Sequence, residues 1–445
     1  MNNSYALPTG DERSATQNST PNRAAILSLG TAVPEHGLCQ ADIGRWMAEG
    51  FADAPAIRRA VRSLHAQSAI ERRYTCCPEY LQPVQNSRFA PGASPAAVPT
   101  TAERMAIYAN EAPKLGLTAA HRAIVSYAAT AATAPDRVLA SITHLVVVSC
   151  TGFFAPGLDF VIAQQLGLAS TVSRTVIGFM GCSAAFNGLR TAQQIVGSQP
   201  EARVLVVCVE LCSLHIQQNC SPAHLIAMSL FADGAAACLV GKAVAQGEGL
   251  FHLEGFHTET QPDTERAMIW EIGDHGFVLH LSPQIPRHIA AAAPATLRHL
   301  FPTEEPAFWA IHPGGRVIVD QLQATFALSP DQVAASRAIL RRYGNLSSAT
   351  ILFVLQELYQ RLSRPKSMFG KRSSSPPTPS SAAFSGPSTN GTDPASLTGV
   401  AMAFGPGLVI EMVRLTLIPA QCEPAALPSH STTLHRIASG DDEPR

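Results

Sequence analysis

The feature that most constrains this chain is the alternation of short apolar, β-branched runs with stretches whose apolar residues recur every three or four positions. The runs AAILSLG (24–30), HLVVVSC (144–150), RTVIGFM (174–180), ARVLVVCVEL (202–211), AAACLVG (235–241), AFWAIHP (307–313) and a pair near 400–417 have the length and branching of buried strands. Between them, SAAFNGLRTAQQIVG (183–197), GGRVIVDQLQATF (314–326) and SSATILFVLQELYQRL (347–362) carry the spacing of helices packed on a sheet. Buried strands separated by such helices place the chain in the α/β class. A coarse division falls between one half at 24–245 and another at 246–417, and the letters themselves show no internal repeat.

Three segments cannot join this pattern. Residues 1–23 and 418–445 are rich in Ser, Thr, Asn, Pro and charge and are expected to be tails. The stretch from Arg364 to Leu397 is so rich in Pro and Ser that it reads as a disordered surface insertion.

Charge excludes some functions. With 32 basic and 33 acidic residues the net charge is -1, so the chain has no global field to draw in nucleic acid or an anionic membrane. The longest uncharged apolar stretch, 138–158, is broken by Gly152, Pro156 and Gly157, so no membrane span is expected. The first residues lack an apolar signal segment, and the ten cysteines include no CxxC pair that would begin a zinc site. Several cysteines lie inside apolar runs as reduced, buried thiols, which points to the cytoplasm.

Three residues stand out for chemistry. Cys182, in RTVIGFMGCSAAFNGLR, lies where a strand gives way to a helix, and the unpaired N–H groups of a helix start favour thiolate. Taken alone, it is more often a buried thiol. His312, in AFWAIHPGG, also ends a strand, where an imidazole can take a thiol proton and then polarise a carbonyl. Asn345, in RRYGNLSSATILFVLQ, precedes a helix, where turn formation or capping is its simplest task. Together they supply a nucleophile, a base and an amide donor at strand ends and helix starts, where α/β folds gather their sites.

The segments GFMGCSAAFNGLR, WAIHPGG, YGNLSSATILFVL and AFGPGLVIE occur in the order and at the intervals found in the type III polyketide synthases, the chalcone and stilbene synthase superfamily. IERRY (70–74), SCTGFFAPGLDF (149–160) and LFADGAAACLVG (230–241) extend the resemblance over roughly 24–417, and SCTGF is similar to microbial members. The resemblance implies a thiolase-like fold of two related αβαβα halves, packed as layered sheets and helices.

It further implies that Cys182 carries an acyl group, with His312 and Asn345 holding the thiolate and binding the thioester oxygen. Phe231 would present an apolar face to the malonyl carboxylate and so favour loss of carbon dioxide. Leu279 falls where plant members carry a second gate phenylalanine, with Phe277 close by. Cys150, Cys212, His215 and Ser347 are implied cavity positions, with Gly405, Pro406 and Gly407 in the glycine-rich loop beside them. Arg58, Arg59 and Arg62 are candidates for the coenzyme A phosphates, although a solvated helix face explains them equally well.

The implied reaction starts from an acyl-CoA and extends it with malonyl-CoA in a homodimer, with no metal or redox cofactor. Cys212, His215 and Leu279 suggest an apolar, fatty acyl starter and an alkylpyrone or alkylresorcinol product. A ketoacyl-acyl-carrier-protein synthase of the initiating kind shares the fold and the three residues. A catalytically inactive thiolase-like binding subunit is the alternative from another class.

Overall fold

An apolar strand is stable only where both of its faces are covered, and the computed structural model of this chain shows what covers them. It describes residues 23–94, 96–216, 221–243, 248–363 and 397–419. The expected tails at 1–23 and 418–445 and the insertion at 364–397 lie almost wholly outside the described residues.

In the first half of the chain the strands are β1 (Ala24–Ala32), β2 (His36–Cys39), β3 (Arg72–Thr75), β4 (His144–Ser149), β5 (Ser173–Gly178), β6 (Val204–Leu211) and β7 (Asp233–Lys242). The second half adds β8 (Phe251–Thr260), β9 (Met268–Gly273), β10 (Gly276–Leu281), β11 (Trp309–Ile311), β12 (Thr398–Gly405) and β13 (Val409–Leu417). Helices α1 (Gln40–Glu49), α2 (Pro55–Gln67), α3 (Thr101–Thr130), α4 (Pro135–Ser141), α5 (Leu158–Gln165), α6 (Ala184–Ser198) and α7 (Pro222–Leu230) precede β8. Helices α8 (Ile285–Arg298), α9 (Arg316–Thr325), α10 (Ala334–Tyr343) and α11 (Thr350–Leu362) follow it.

Nine strands join in the order β11-β12-β13-β8-β1-β7-β6-β4-β5. Within this row one arrangement occurs twice. Strands β4 and β6 run parallel, β6 and β7 antiparallel, and β7 and β1 antiparallel. Likewise β11 and β12 run parallel, β12 and β13 antiparallel, and β13 and β8 antiparallel. The copies meet at a seam of two residue pairs, Ala25 with His252 and Ile26 with Phe251. The helices repeat as well, because α6 and α11 each follow a 3-10 turn, Gly181–Ser183 and Ser347–Ala349. Both turns open on a residue of positive φ, Gly181 at 63° and Ser347 at 49°.

Side chains of the strands alternate between cores, as a two-residue period requires. Val204, Val206 and Cys208 of β6 enter a central core with α6, α11, Ala401 and Val413. Leu205, Val207 and Val209 enter an outer core with Ala119, Ala123 and Ile124 of α3. In the second half, Val413 and Leu415 point to the centre, while Ile410 and Met412 pack with Ile289 and Leu297 of α8. The layers are therefore helix, sheet, helix, sheet, helix, with α6 and α11 in the middle.

Strand β5 departs from the buried strand expected at 174–180. It ends at Gly178, pairs only with β4 among the described strands, and exposes Arg174, Thr175 and Val176. At this sheet edge Val176 faces outward, while Ile177 packs against the central core.

Candidate active site

The duplication determines where chemistry can collect, because corresponding loops of the two copies face each other across the central helices. The turn before α6 carries Cys182, the turn before α11 follows Asn345, and the loop after β11 begins with His312. All three line one cavity of about 420 Å³.

Asn345 is held at several points. Its backbone N–H donates to the Leu230 carbonyl (2.9 Å) and its carbonyl accepts from the Ala232 N–H (2.9 Å), so it pairs across Phe231. Its side-chain oxygen accepts from the Ser347 N–H at 2.8 Å, closing a turn over two residues. Its amide nitrogen donates to the Gly314 carbonyl at 3.2 Å and lies 3.9 Å from Cys182 Sγ. The oxygen thus builds the turn, as one sequence reading expects, and the oxygen and nitrogen both lie 3.9 Å from the thiol.

Cys182 Sγ also lies 3.9 Å from Ser347 Oγ. Burial pushes its thiol up to about 12, Ser347 and Asn345 pull it down, and the Glu210 carboxyl pushes it up. Burial thus opposes the thiolate that the N–H groups of a helix start would favour. His312 is 1% exposed, and burial holds its imidazole down to about 3, so it is neutral. It lies beside Gly314, and neither ring nitrogen has a hydrogen-bond partner among the described residues. An unpaired buried polar atom costs about 1–3 kcal/mol, so this ring is arranged to receive something.

The cavity wall holds most of the other expected residues. Phe231, Leu279, Cys150, Cys212, His215, Ser347 and Pro406 line it. Phe231 is fixed by Arg73, whose guanidinium donates to the Phe231 carbonyl at 2.8 Å and to that of Met228 at 2.7 Å. His215 has both nitrogens engaged: Nε2 donates to the Thr151 carbonyl (2.7 Å) and Nδ1 accepts from the Phe277 N–H (2.9 Å). Its ring stacks on Phe277 at 4.2 Å, and burial keeps it neutral, down to about 3. Phe277 is buried behind His215, and Leu279 and Leu281 are the residues of that strand that reach the cavity.

One expectation is corrected. Gly405 and Gly407 do not line the cavity. Gly405 instead lets β12 run against the Cys182 turn, where a Cβ would meet Ser183 Oγ and come within 2.8 Å of the Met180 carbonyl oxygen. Arg58, Arg59 and Arg62 lie outside the cavity lining, on α2, which turns Leu64 and Gln67 toward the cavity and leaves Arg59 and Arg62 exposed. The arginine that does line it is Arg316, which opens α9 after Gly314 and Gly315.

Glu210 escaped the sequence reading altogether. It is fully buried and accepts from Ser348 Oγ, the Cys150 N–H (3.1 Å) and Thr151 Oγ1 (2.8 Å). Burial raises its carboxyl to about 7 against the pull of those donors. The available signal was a lone acid inside the apolar run VLVVCVEL.

Comparison with known proteins agrees with this geometry. The family model for chalcone and stilbene synthases matches with its N-terminal domain over residues 11–244 and its C-terminal domain over 254–373. Pks18 of Mycobacterium tuberculosis, described as alpha-pyrone synthesis polyketide synthase-like, is 29% identical over 403 residues, covering 89% of this chain and 91% of the relative. The C-terminal type III polyketide synthase domain of Steely1 from Dictyostelium superposes with a TM-score of 0.73 at 26% identity, covering 89% of this chain and all of that one. PKS-I from the brown alga Ectocarpus siliculosus gives 0.76 at 27% identity, covering 90% and 100%. With Cys182, His312 and Asn345 on one cavity and the family matched over most of its length, the chain belongs to the chalcone and stilbene synthases, the type III polyketide synthases.

Proposed function

We propose that the enzyme loads a fatty acyl group from CoA onto Cys182 and extends it with malonyl-CoA by decarboxylative Claisen condensation, after which the chain cyclises to an alkylpyrone or alkylresorcinol. The observation that carries this reading is the meeting of Cys182 with Asn345, 163 residues away, and with His312 in one buried cavity. In the loading step the Cys182 proton passes to a nitrogen of His312. The sulfur attacks the thioester carbonyl, and CoA leaves as its thiol with the proton.

Malonyl-CoA then occupies the same site. Phe231 sets an apolar face against its carboxylate, where a charge is costly and neutral carbon dioxide is not. The bond to the carboxyl carbon breaks, and its electrons become an enolate whose oxygen is bound by His312 and the Asn345 amide. The enolate carbon attacks the acyl carbonyl, and Cys182 leaves as sulfide ready for the next cycle. Cysteine, imidazole, amide and the thioesters themselves supply each of these steps, so we assign no resident cofactor to the reaction.

The starter is read from the walls. Ile226, Met228, Trp270, Leu279, Leu281 and Ile285 give the cavity an apolar lining that suits an alkyl chain. The relative named for alpha-pyrone synthesis supports a pyrone product. We assign the CoA phosphates to Arg316 at the cavity rather than to the α2 arginines. The homodimer rests on the β5 edge, where Phe153, Phe160, Val176 and Met180 are 37–50% exposed and lead to the Cys182 turn. The eight described cysteines are free, which supports a reducing compartment, the cytoplasm. No described helix is long and apolar enough to cross a membrane.

The test is mass spectrometry of products made from malonyl-CoA and a panel of acyl-CoA starters. Pyrones or resorcinols from long-chain starters are expected, and Cys182→Ala should yield none. Turnover with aromatic thioesters alone would overturn the starter, and a demand for acyl-carrier-protein substrates would overturn the reading as a whole.

A further inference from the structure

At the far side of the second half, β8 turns two residues of one face toward the end of α8. His257 and Glu259 are two apart on the strand and so share a face. His299 follows the last residue of α8. The ligand atoms of His257, Glu259 and His299 all lie within 4.8 Å of one another, and this is the one such His/Cys/Asp/Glu group found among the described residues. The protein's established chemistry makes no use of it.

Two features separate this group from a chance surface cluster. His257 Nε2 is shielded from solvent, has no hydrogen-bond partner among the described residues, and stands 3.7 Å from Glu259 Oε2. That is too long for a hydrogen bond, yet close to the edge of a tetrahedron, about 3.4 Å, that ligands 2.0–2.1 Å from a zinc ion would form. Glu259 Oε2 is oriented from behind by Thr296 Oγ1 at 2.7 Å, the kind of supporting bond that fixes metal-ligating carboxylates. The rings of His257 and His299 stack at 4.1 Å and 13°, so their in-plane lone pairs run nearly parallel and one ring must turn for both to meet a single ion.

We propose that His257, Glu259 and His299 form a binding site for a borderline divalent cation of the zinc type, with solvent completing the coordination. Two imidazoles and one carboxylate suit zinc, cobalt or nickel, whereas calcium and magnesium prefer sites made wholly of oxygen. The ion ties the C-terminal end of α8 to β8. Helix α8 rises about 20 Å over its length, and its first residues, Ile285 and Pro286, line the catalytic cavity. The site is thus a clamp on the helix that forms one cavity wall and lies at the end remote from the chemistry.

The full chain, without an affinity tag, is stripped with chelator and titrated with Co2+ as a visible probe. One saturable d–d absorbance per chain is expected, without a thiolate-to-cobalt band in the near ultraviolet, and Zn2+ should displace it. His257→Ala and His299→Ala should each abolish the signal, and Thr296→Val should weaken binding about 10- to 100-fold. Because His299 is exposed at a helix end, its variant keeps the test valid if the strand variant fails to fold. No saturable band below about 1 mM Co2+, a band that survives in His299→Ala, or a thiolate-to-cobalt band would each overturn the site.

Discussion

Replacing Asn345 by aspartate removes the donor nitrogen of that side chain, one of its two atoms 3.9 Å from Cys182 Sγ, and leaves the rest of its wiring in place. One carboxylate oxygen still accepts from the Ser347 N–H, now 2.8 Å from the amide oxygen, so the turn that opens α11 persists. What disappears is the donor at 3.2 Å from the Gly314 carbonyl and 3.9 Å from Cys182 Sγ. The structural loss is one hydrogen bond, about 0.5–1.5 kcal/mol. The catalytic loss is one of two donors to the enolate oxygen, which typically costs a hundred- to a thousandfold, or about 3–4 kcal/mol. The assay is decarboxylation of malonyl-CoA without a starter, run at about pH 8 so that a carboxyl raised by burial is ionised and cannot donate. The expected result is a rate down at least a hundredfold, with a melting temperature within a few degrees of the parent. An aspartate variant that melts normally and keeps more than about a tenth of the rate would refute the donor role and leave Asn345 as a turn former.

Gly405→Ala places a methyl group against Ser183 Oγ and 2.8 Å from the Met180 carbonyl oxygen, and backbone cannot yield as a flexible side chain does. A loss of about 1–3 kcal/mol is expected in thermal melts, with condensation falling further than stability because the nucleophile turn is displaced. Glu210 has a folded value of about 7 against an ordinary 4.5, so the folded state holds its proton more tightly than the unfolded chain does. Its contribution therefore falls as pH rises from about 4.5 to 7, by on the order of 3 kcal/mol, and Glu210→Gln should flatten the melting temperature over that range. Val176→Arg puts a charge on the exposed β5 edge and, if that edge is a twofold interface, does so twice. Sedimentation should show a monomer, and an unchanged dimer would move the interface elsewhere. Arg316→Ala should raise KM for acyl-CoA roughly tenfold, the worth of one charge-assisted bond, while an unchanged KM would return the phosphates to another surface.

The amino-acid sequence alone determined the class of the fold and the positions of most strands and helices, and its family motifs singled out Cys182, His312 and Asn345. These are local matters: periodicity marks an element, and a residue at a strand end or helix start is recognisable from its neighbours. Convergence was a different question. Cys182 and Asn345 stand 163 residues apart, and they meet only because the strand order of the first half recurs in the second. No letters display that recurrence, since core packing needs the right volume and face rather than the same residues. The tertiary structure likewise decided that β5 is an edge rather than a buried strand, that α2 points its arginines away from the cavity, and that Glu210 lies inside with its donors. Each of these depends on what lies on the far side of an element, and a one-dimensional pattern carries the period of a face without naming the partner that covers it.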